Sequence, residues 1–162
     1  AFAMMSQLYV AVPFALLNVI EFWPPRGVMV LALFVFLWCS DTGAYCTGSL
    51  IGRHKLFPSV SPGKTWEGSI GGGLVTIAAS QLVCWLATAD LEPTLTLRLF
   101  WAGMALTVVV CGTLGDLVES LLKRRLGIKD SGHALPGHGG WLDRFDSSLM
   151  AIPAVVVYLL CW

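Results

Sequence analysis

Long uncharged apolar runs limit what this chain can fold into. Ala1–Ile20, Ser69–Ala89 and Leu99–Gly115 carry no Asp, Glu, Lys or Arg, and Ser147–Trp162 is interrupted only by Pro153. Gly27–Gly52 is a further run, broken only by Asp41. A helix needs about 20 apolar residues to cross a bilayer. Within the hydrocarbon layer only helices and closed barrels satisfy their own backbone. Barrel strands alternate apolar and polar residues, and these runs do not. The expected fold is therefore all-α, a polytopic membrane protein of about five transmembrane helices forming one domain over residues 1–162. A mean hydropathy of +0.75 excludes a soluble domain. The chain opens with Ala, not Met, in the middle of an apolar run. Residues 1–20 thus read as a membrane helix rather than a signal peptide, and the chain as a C-terminal piece of a longer protein.

Ten basic and ten acidic residues balance to a net charge of zero, which gives no bulk argument for nucleic acid as a partner. Their distribution is uneven. The connection 53–67 carries Arg53, Lys55 and Lys64, and 123–144 carries Lys123, Arg124, Arg125, Lys129 and Arg144. The opposite connections carry only Arg26 and Arg98. The positive-inside rule places both large loops in the cytoplasm. The outer connections are short and proline-marked, whereas the inner ones are glycine-rich, so function is expected on the cytoplasmic face. Five cysteines without a CxxC pair lie in the apolar runs and read as packing residues. Gly71, Gly72 and Gly73 suit close helix approach.

Carboxylates inside a membrane span are costly unless paired, hydrated or bound to a cation. Asp41, Asp116 and Glu119 all fall near cytoplasmic helix ends. Asp116 and Glu119 are spaced i, i+3 and share a helix face, which Ser120 and Lys123 extend. Asp143 and Asp146 repeat that spacing at the start of the last helix. Two helices can thus aim two carboxylate pairs at one point below the membrane surface. Such hard oxygen ligands suit Mg²⁺, which keeps waters and substrate phosphates in its shell. The competing reading is a salt-bridge network in which Asp116 or Asp143 pairs with Lys123, Arg124 or Arg144, with Asp146 simply a favourable acid at a helix start.

Ser61-Pro62-Gly63-Lys64-Thr65-Trp66-Glu67-Gly68 is a second constellation. Pro and Gly make a turn, Thr65 or Ser61 caps the helix that follows, and Lys64 beside free backbone amides suits a phosphate. The P-loop spacing fails, because Ser59 stands where its first glycine belongs. A capped loop with a snorkelling lysine is the plainer alternative. Ser40-Asp41-Thr42-Gly43-Ala44-Tyr45 suits a polar cavity or a helix–helix hydrogen bond. Gly139 and Gly140 let backbone amides approach an anion, and His138 beside them either binds metal or phosphate or orders its loop.

The run Ser120-x-Leu122-Lys123-Arg124-x4-Lys129-Asp130-x-Gly132-x2-Leu135-Pro136-x-His138-Gly139-Gly140-x2-Asp143-Arg144-Phe145-Asp146 resembles the signature of the phosphatidate cytidylyltransferases, or CDP-diacylglycerol synthases. Trp141 departs from it, where a smaller aliphatic residue is expected. Asp41–Tyr45 and Ser61–Gly68 resemble further segments of that family in the right order, and the likeness runs from about Trp38 to Ala151. The resemblance implies transfer of CMP from CTP to phosphatidate, giving CDP-diacylglycerol and pyrophosphate. It also implies Mg²⁺ dependence, a polytopic helical fold and a bacterial-type enzyme of the inner (cytoplasmic) membrane. A homodimer and a second, monovalent cation such as K⁺ stay open.

On this reading Asp116 and Asp143 hold Mg²⁺, with Glu119 and Asp146 as support or further ligands. Asp116, Asp143, Lys64, Lys123 and Arg144 form the catalytic set. Ser61, Lys64, Thr65, Lys123, Arg124, Lys129, His138, Gly139 and Gly140 bind the phosphates of CTP and lipid. Asp41 orients one of the cations or a metal-bound water. The alternatives are a CTP-dependent polyprenol or phytol kinase, which would release CDP, a cation transporter using Asp41, Asp116 and Glu119 as an ion path, and a non-catalytic fragment.

Overall fold

A computed structural model of the chain describes residues 2–24, 27–88, 93–128, 140 and 142–162, with backbone alone for 2–6. Five helices and one small hairpin make up the described residues. In order they are α1 (Phe2–Glu21), α2 (Val28–Ile51), β1 (Lys55–Phe57), β2 (Ser61–Thr65), α3 (Trp66–Ala87), α4 (Leu95–Arg125) and α5 (Leu142–Cys161). The last four helices are each long and apolar enough to span a membrane, and Gln7–Glu21 of α1 is a shorter apolar helix. Large apolar side chains face outward all round, among them Trp38, Leu50, Leu74 and Trp85. In water such a surface would aggregate; in a bilayer it is the solvated face. The all-α membrane fold expected from the sequence is the one observed.

Two departures matter for the site. The connection after α2 is not plain loop. β1 and β2 pair antiparallel, with Lys55 opposite Thr65 and Phe57 opposite Ser61 and an irregularity between them. Pro62 and Gly63 are poor strand residues, so periodicity alone does not reveal the hairpin. Helix α4 also carries on through the whole charged stretch to Arg125, so that Lys123–Arg125, expected at the start of the loop, form its last turn. Pairs one turn apart, Ser120 with Asp116 and Lys123 with Glu119, knit this extension, and Lys123, Arg124 and Arg125 complement the helix dipole. Gly127, at φ +69°, ends it. Ile128 N–H donates to Lys123 O and Gly127 N–H to Arg124 O, a pair of bonds that ties off the last turn.

Helix packing depends on small residues at two contacts. Along α2–α3 a Cβ on Gly72 would stand 2.5 Å from Ser40 O, and one on Gly43 3.0 Å from Gly72 Cα. Along α4–α5 a Cβ on Gly115 would stand 2.7 Å from Asp146 O. The large buried side chains gather toward the other end of the bundle. Ile20, Met29, Leu33, Phe36, Trp101, Met104, Ile152 and Leu159 interlock there, with Phe36 edge-on to Trp101 at 6.4 Å and Tyr158 Oη donating to Phe100 O. Among the described residues, the charged side chains other than Glu21 and Arg98 occupy the other half of the bundle.

Candidate active site

Three elements meet at the polar end of the bundle: hairpin strand β2, the last turns of α4 and the first turns of α5. From Leu95 to Gly115 the α-helical rise covers about 30 Å, the thickness of a hydrocarbon core, so Asp116 emerges at its edge. Thr65 caps α3, its Oγ1 accepting from Gly68 N–H at 3.1 Å; Ser61, the other capping candidate, lies in β2 instead. The cap fixes where β2 ends and so where Lys64 points. Lys64 forms an ion pair with Asp116 and approaches Thr113 O at 3.5 Å. Ser120 Oγ lies 3.4 Å from the other Asp116 oxygen.

Lys123 crosses from α4 to α5. Its Nζ donates to Asp143 Oδ1 at 2.7 Å and stands 3.5 Å from Glu119 Oε1, an ion-pair distance rather than a good hydrogen bond. Gly140 N–H donates to Asp143 Oδ2 at 2.8 Å, which orients this carboxylate from both sides. Asp146 accepts from Ser147 N–H at 2.6 Å, and its carboxyl group adjoins those of Asp116 and Glu119. Glu119 is only 3% exposed, yet neither of its carboxylate oxygens has a hydrogen-bond donor among the described residues. A buried acid beside two other acids, with Lys123 at 3.5 Å as its cationic neighbour among the described residues, is costly, and a hard cation is the kind of group that would further satisfy it.

The expected salt-bridge alternative and the expected site are therefore the same residues. Lys123 pairs with Asp143 as that alternative had it, but Asp116 takes Lys64 from the hairpin. Among the described residues no group of three or more His, Cys, Asp or Glu stands in metal-holding geometry, and three of the four acids, Asp116, Glu119 and Asp143, lie within ion-pair distance of a lysine.

Two pockets flank the cluster. One, of about 450 Å³, is lined by Asp41, Tyr45, Ser61, Gly63, Lys64, Thr65, Thr113 and Asp116 among others. The second, of about 350 Å³, is lined by Trp38, Asp41, Asp143, Arg144 and Asp146 among others. Asp41 lines both, near Lys64 and Asp116. Arg124 is exposed in the last turn of α4 and lines neither pocket. Lys129, His138 and Gly139 lie outside the described residues, as do Asp130 and Trp141.

Residues without an assigned part also enter. Glu67 accepts from the backbone N–H groups of Arg53 and His54 at 3.2 Å and meets His54 Nδ1 at 2.6 Å. It thereby closes the base of the hairpin. Ser69 and Thr113 line the lysine pocket one turn from Thr65 and Asp116. Their signal, hydroxyls one turn along from a motif residue, is visible in the sequence but too common to single out.

The Cytidylyltransferase family is matched over residues 1–162. A phosphatidate cytidylyltransferase of Staphylococcus haemolyticus (strain JCSC1435) is 39% identical over 99% of this chain and 59% of its own length. One of Staphylococcus epidermidis (strain ATCC 12228 / FDA PCI 1200) is 41% identical with the same coverage. The chain thus spans 59% of the length of these curated relatives. A chain from a structural study of an intramembrane enzyme for archaeal membrane lipids biosynthesis shares 26% identity, with a TM-score of 0.48 and 76% of each chain covered.

Proposed function

Because the chain belongs to the cytidylyltransferase family, we propose that it carries the catalytic centre of a phosphatidate cytidylyltransferase, which transfers CMP from CTP to phosphatidate and releases pyrophosphate. The observation that carries this reading is the pair of lysines, Lys64 and Lys123, brought by separate elements to one polar end of an apolar bundle and each held by a carboxylate. The lipid phosphate and the nucleotide both bring negative charge to the membrane surface. A phosphatidate oxygen attacks the α-phosphorus of CTP and the bond to the bridging oxygen of pyrophosphate breaks. The nucleophile is already an anion, so the chain has little proton to move. Its task is to align two polyanions and offset their repulsion. Lys64 and Lys123 do this with Arg144 at the second pocket, and Asp116 and Asp143 hold the lysines in place between turnovers. Ser61 supplies a polar contact to the phosphates, while Thr65 and Gly140 serve the site by positioning Lys64 and Asp143.

The acids fit Mg²⁺. We assign it to Asp116, Glu119, Asp143 and Asp146, with Glu119, whose buried oxygens lack donors, as the residue most in need of it. Mg²⁺ is often held by only one or two carboxylates together with substrate phosphates and water. When bound it would neutralise triphosphate charge. The lysine-bearing end faces the cytoplasm, where CTP is available, in line with the excess of basic residues there.

The test is a mixed-micelle assay of the purified full-length protein with labelled CTP, phosphatidate and Mg²⁺, run beside Asp116→Asn and Asp143→Asn. Labelled lipid and pyrophosphate from wild type, and at least about 100-fold less from the variants, are expected. CDP as the nucleotide product would replace this reading with a lipid kinase. Folded wild-type protein that yields neither product would overturn both.

A further inference from the structure

We infer that the groove between α3 and α4 holds an acyl chain of the phospholipid whose phosphate meets Lys64, an assignment that rests on the lipid-substrate reading above. The groove has a volume of about 490 Å³ and an almost wholly apolar lining. It runs from the hairpin down about three turns of each helix, between α3 residues such as Gly73 and Ile77 and α4 residues such as Leu106 and Val110. At its upper end it meets the lysine pocket, because Ser69 and Thr113 line both. Lys64 Nζ stands at that junction, 3.5 Å from Thr113 O.

A cation at the head of an apolar trough is complementary to one class of molecule, an amphiphile with an anionic phosphate and a hydrocarbon tail. A water-soluble nucleotide would gain nothing from the trough. A helix from elsewhere in the protein would fill it without using the lysine. The trough opens sideways on an outward-facing, apolar part of the bundle, where Ile70 and Leu74 are exposed. A lipid can therefore enter it from the bilayer without leaving hydrocarbon.

Gly73 gives the means to test this. A Cβ there meets only Val109 Cγ1, at an ordinary 3.7 Å, so a larger side chain would project into the groove without forcing α3 and α4 apart at the backbone. In the full-length protein, Gly73→Leu is expected to lower the ratio of kcat/KM for dioleoyl over dihexanoyl phosphatidate by at least about fivefold. An unchanged ratio overturns the assignment. A second measurement needs neither the variant nor turnover. Phosphatidate carrying a diazirine on its acyl chain is irradiated with the wild-type protein, and labelling of the peptides containing Ile77 and Leu106 is expected. Labelling confined to other helices overturns the inference, including the case where another helix or a second copy fills the groove. Groove labelling by a wild type that makes no CDP-lipid would instead retain the groove and refute the reaction.

Discussion

Lys64 and Lys123 carry the same charge in different settings, and their replacements should fail differently. The Lys64 side chain is 26% exposed and comes from a surface hairpin. Its loss leaves Asp116 able to reach water. Lys64→Met is therefore expected to lower kcat/KM at least about 100-fold while melting close to wild type in a detergent-based thermal shift assay. Lys123 is 17% exposed and stands between Asp143 and the buried Glu119. Lys123→Met removes a cation that lies within ion-pair distance of both acids, and should destabilise by on the order of 3 kcal/mol as well as abolish turnover. Glu119→Gln should act in the opposite direction. It removes a buried charge that shares its one lysine neighbour with Asp143 and adjoins two further acids, so the melting temperature without divalent cation should rise, and the Mg²⁺-induced rise expected of wild type should shrink or vanish. At this scale much was legible in the sequence, because a charge inside an apolar run is conspicuous. The pairing was half legible, since Lys123 with Asp143 was among the expected ion pairs and Lys64 with Asp116 was not. Lys64 and Asp116 are distant in the chain, and only the hairpin and the length of α4 bring them together.

Helix α4 and the hairpin show why the elements were less legible than the residues. Charge density read Lys123–Arg125 as loop, yet a stretch whose polar residues recur every third or fourth position is as good a helix as an apolar one. The hairpin escaped because its strands are short and one contains Pro62 and Gly63. Two changes probe how these elements hold the site. Gly115→Ala places a methyl 2.7 Å from Asp146 O and should separate α4 from α5, costing about 1–3 kcal/mol and lowering activity, with both read on one preparation. Glu67→Ala releases the hairpin base. If its part is to aim Lys64, the double variant with Lys64→Met should be no slower than Lys64→Met alone, whereas the losses from Glu67→Ala and Arg144→Met should multiply. Multiplying losses in both pairs would reduce Glu67 to general support.

Over the whole molecule, the spans were the most legible feature, since apolar length sets them with little help from packing, and the placement of the ten cations adds an expected orientation. The orientation can be checked by membrane-impermeant thiol labelling in a cysteine-free background. Lys55→Cys should react only from the cytoplasmic side and Thr96→Cys only from the other. Less legible was the separation along the bundle axis. The interlocked aromatic and aliphatic core sits at one end, and the two site lysines, the acids they pair with and the two pockets that flank them sit at the other. Every long helix passes through both regions. Inheritance should therefore write two records along each helix. Toward the outer end, variation should be limited by how much protein survives quality control, so that substitutions trade volume for volume among apolar residues. Toward the inner end it should be limited by turnover, so that even changes harmless to abundance are lost. A saturation library scored once for protein level and once for growth would find the boundary between the two regimes near the middle of α2, α4 and α5.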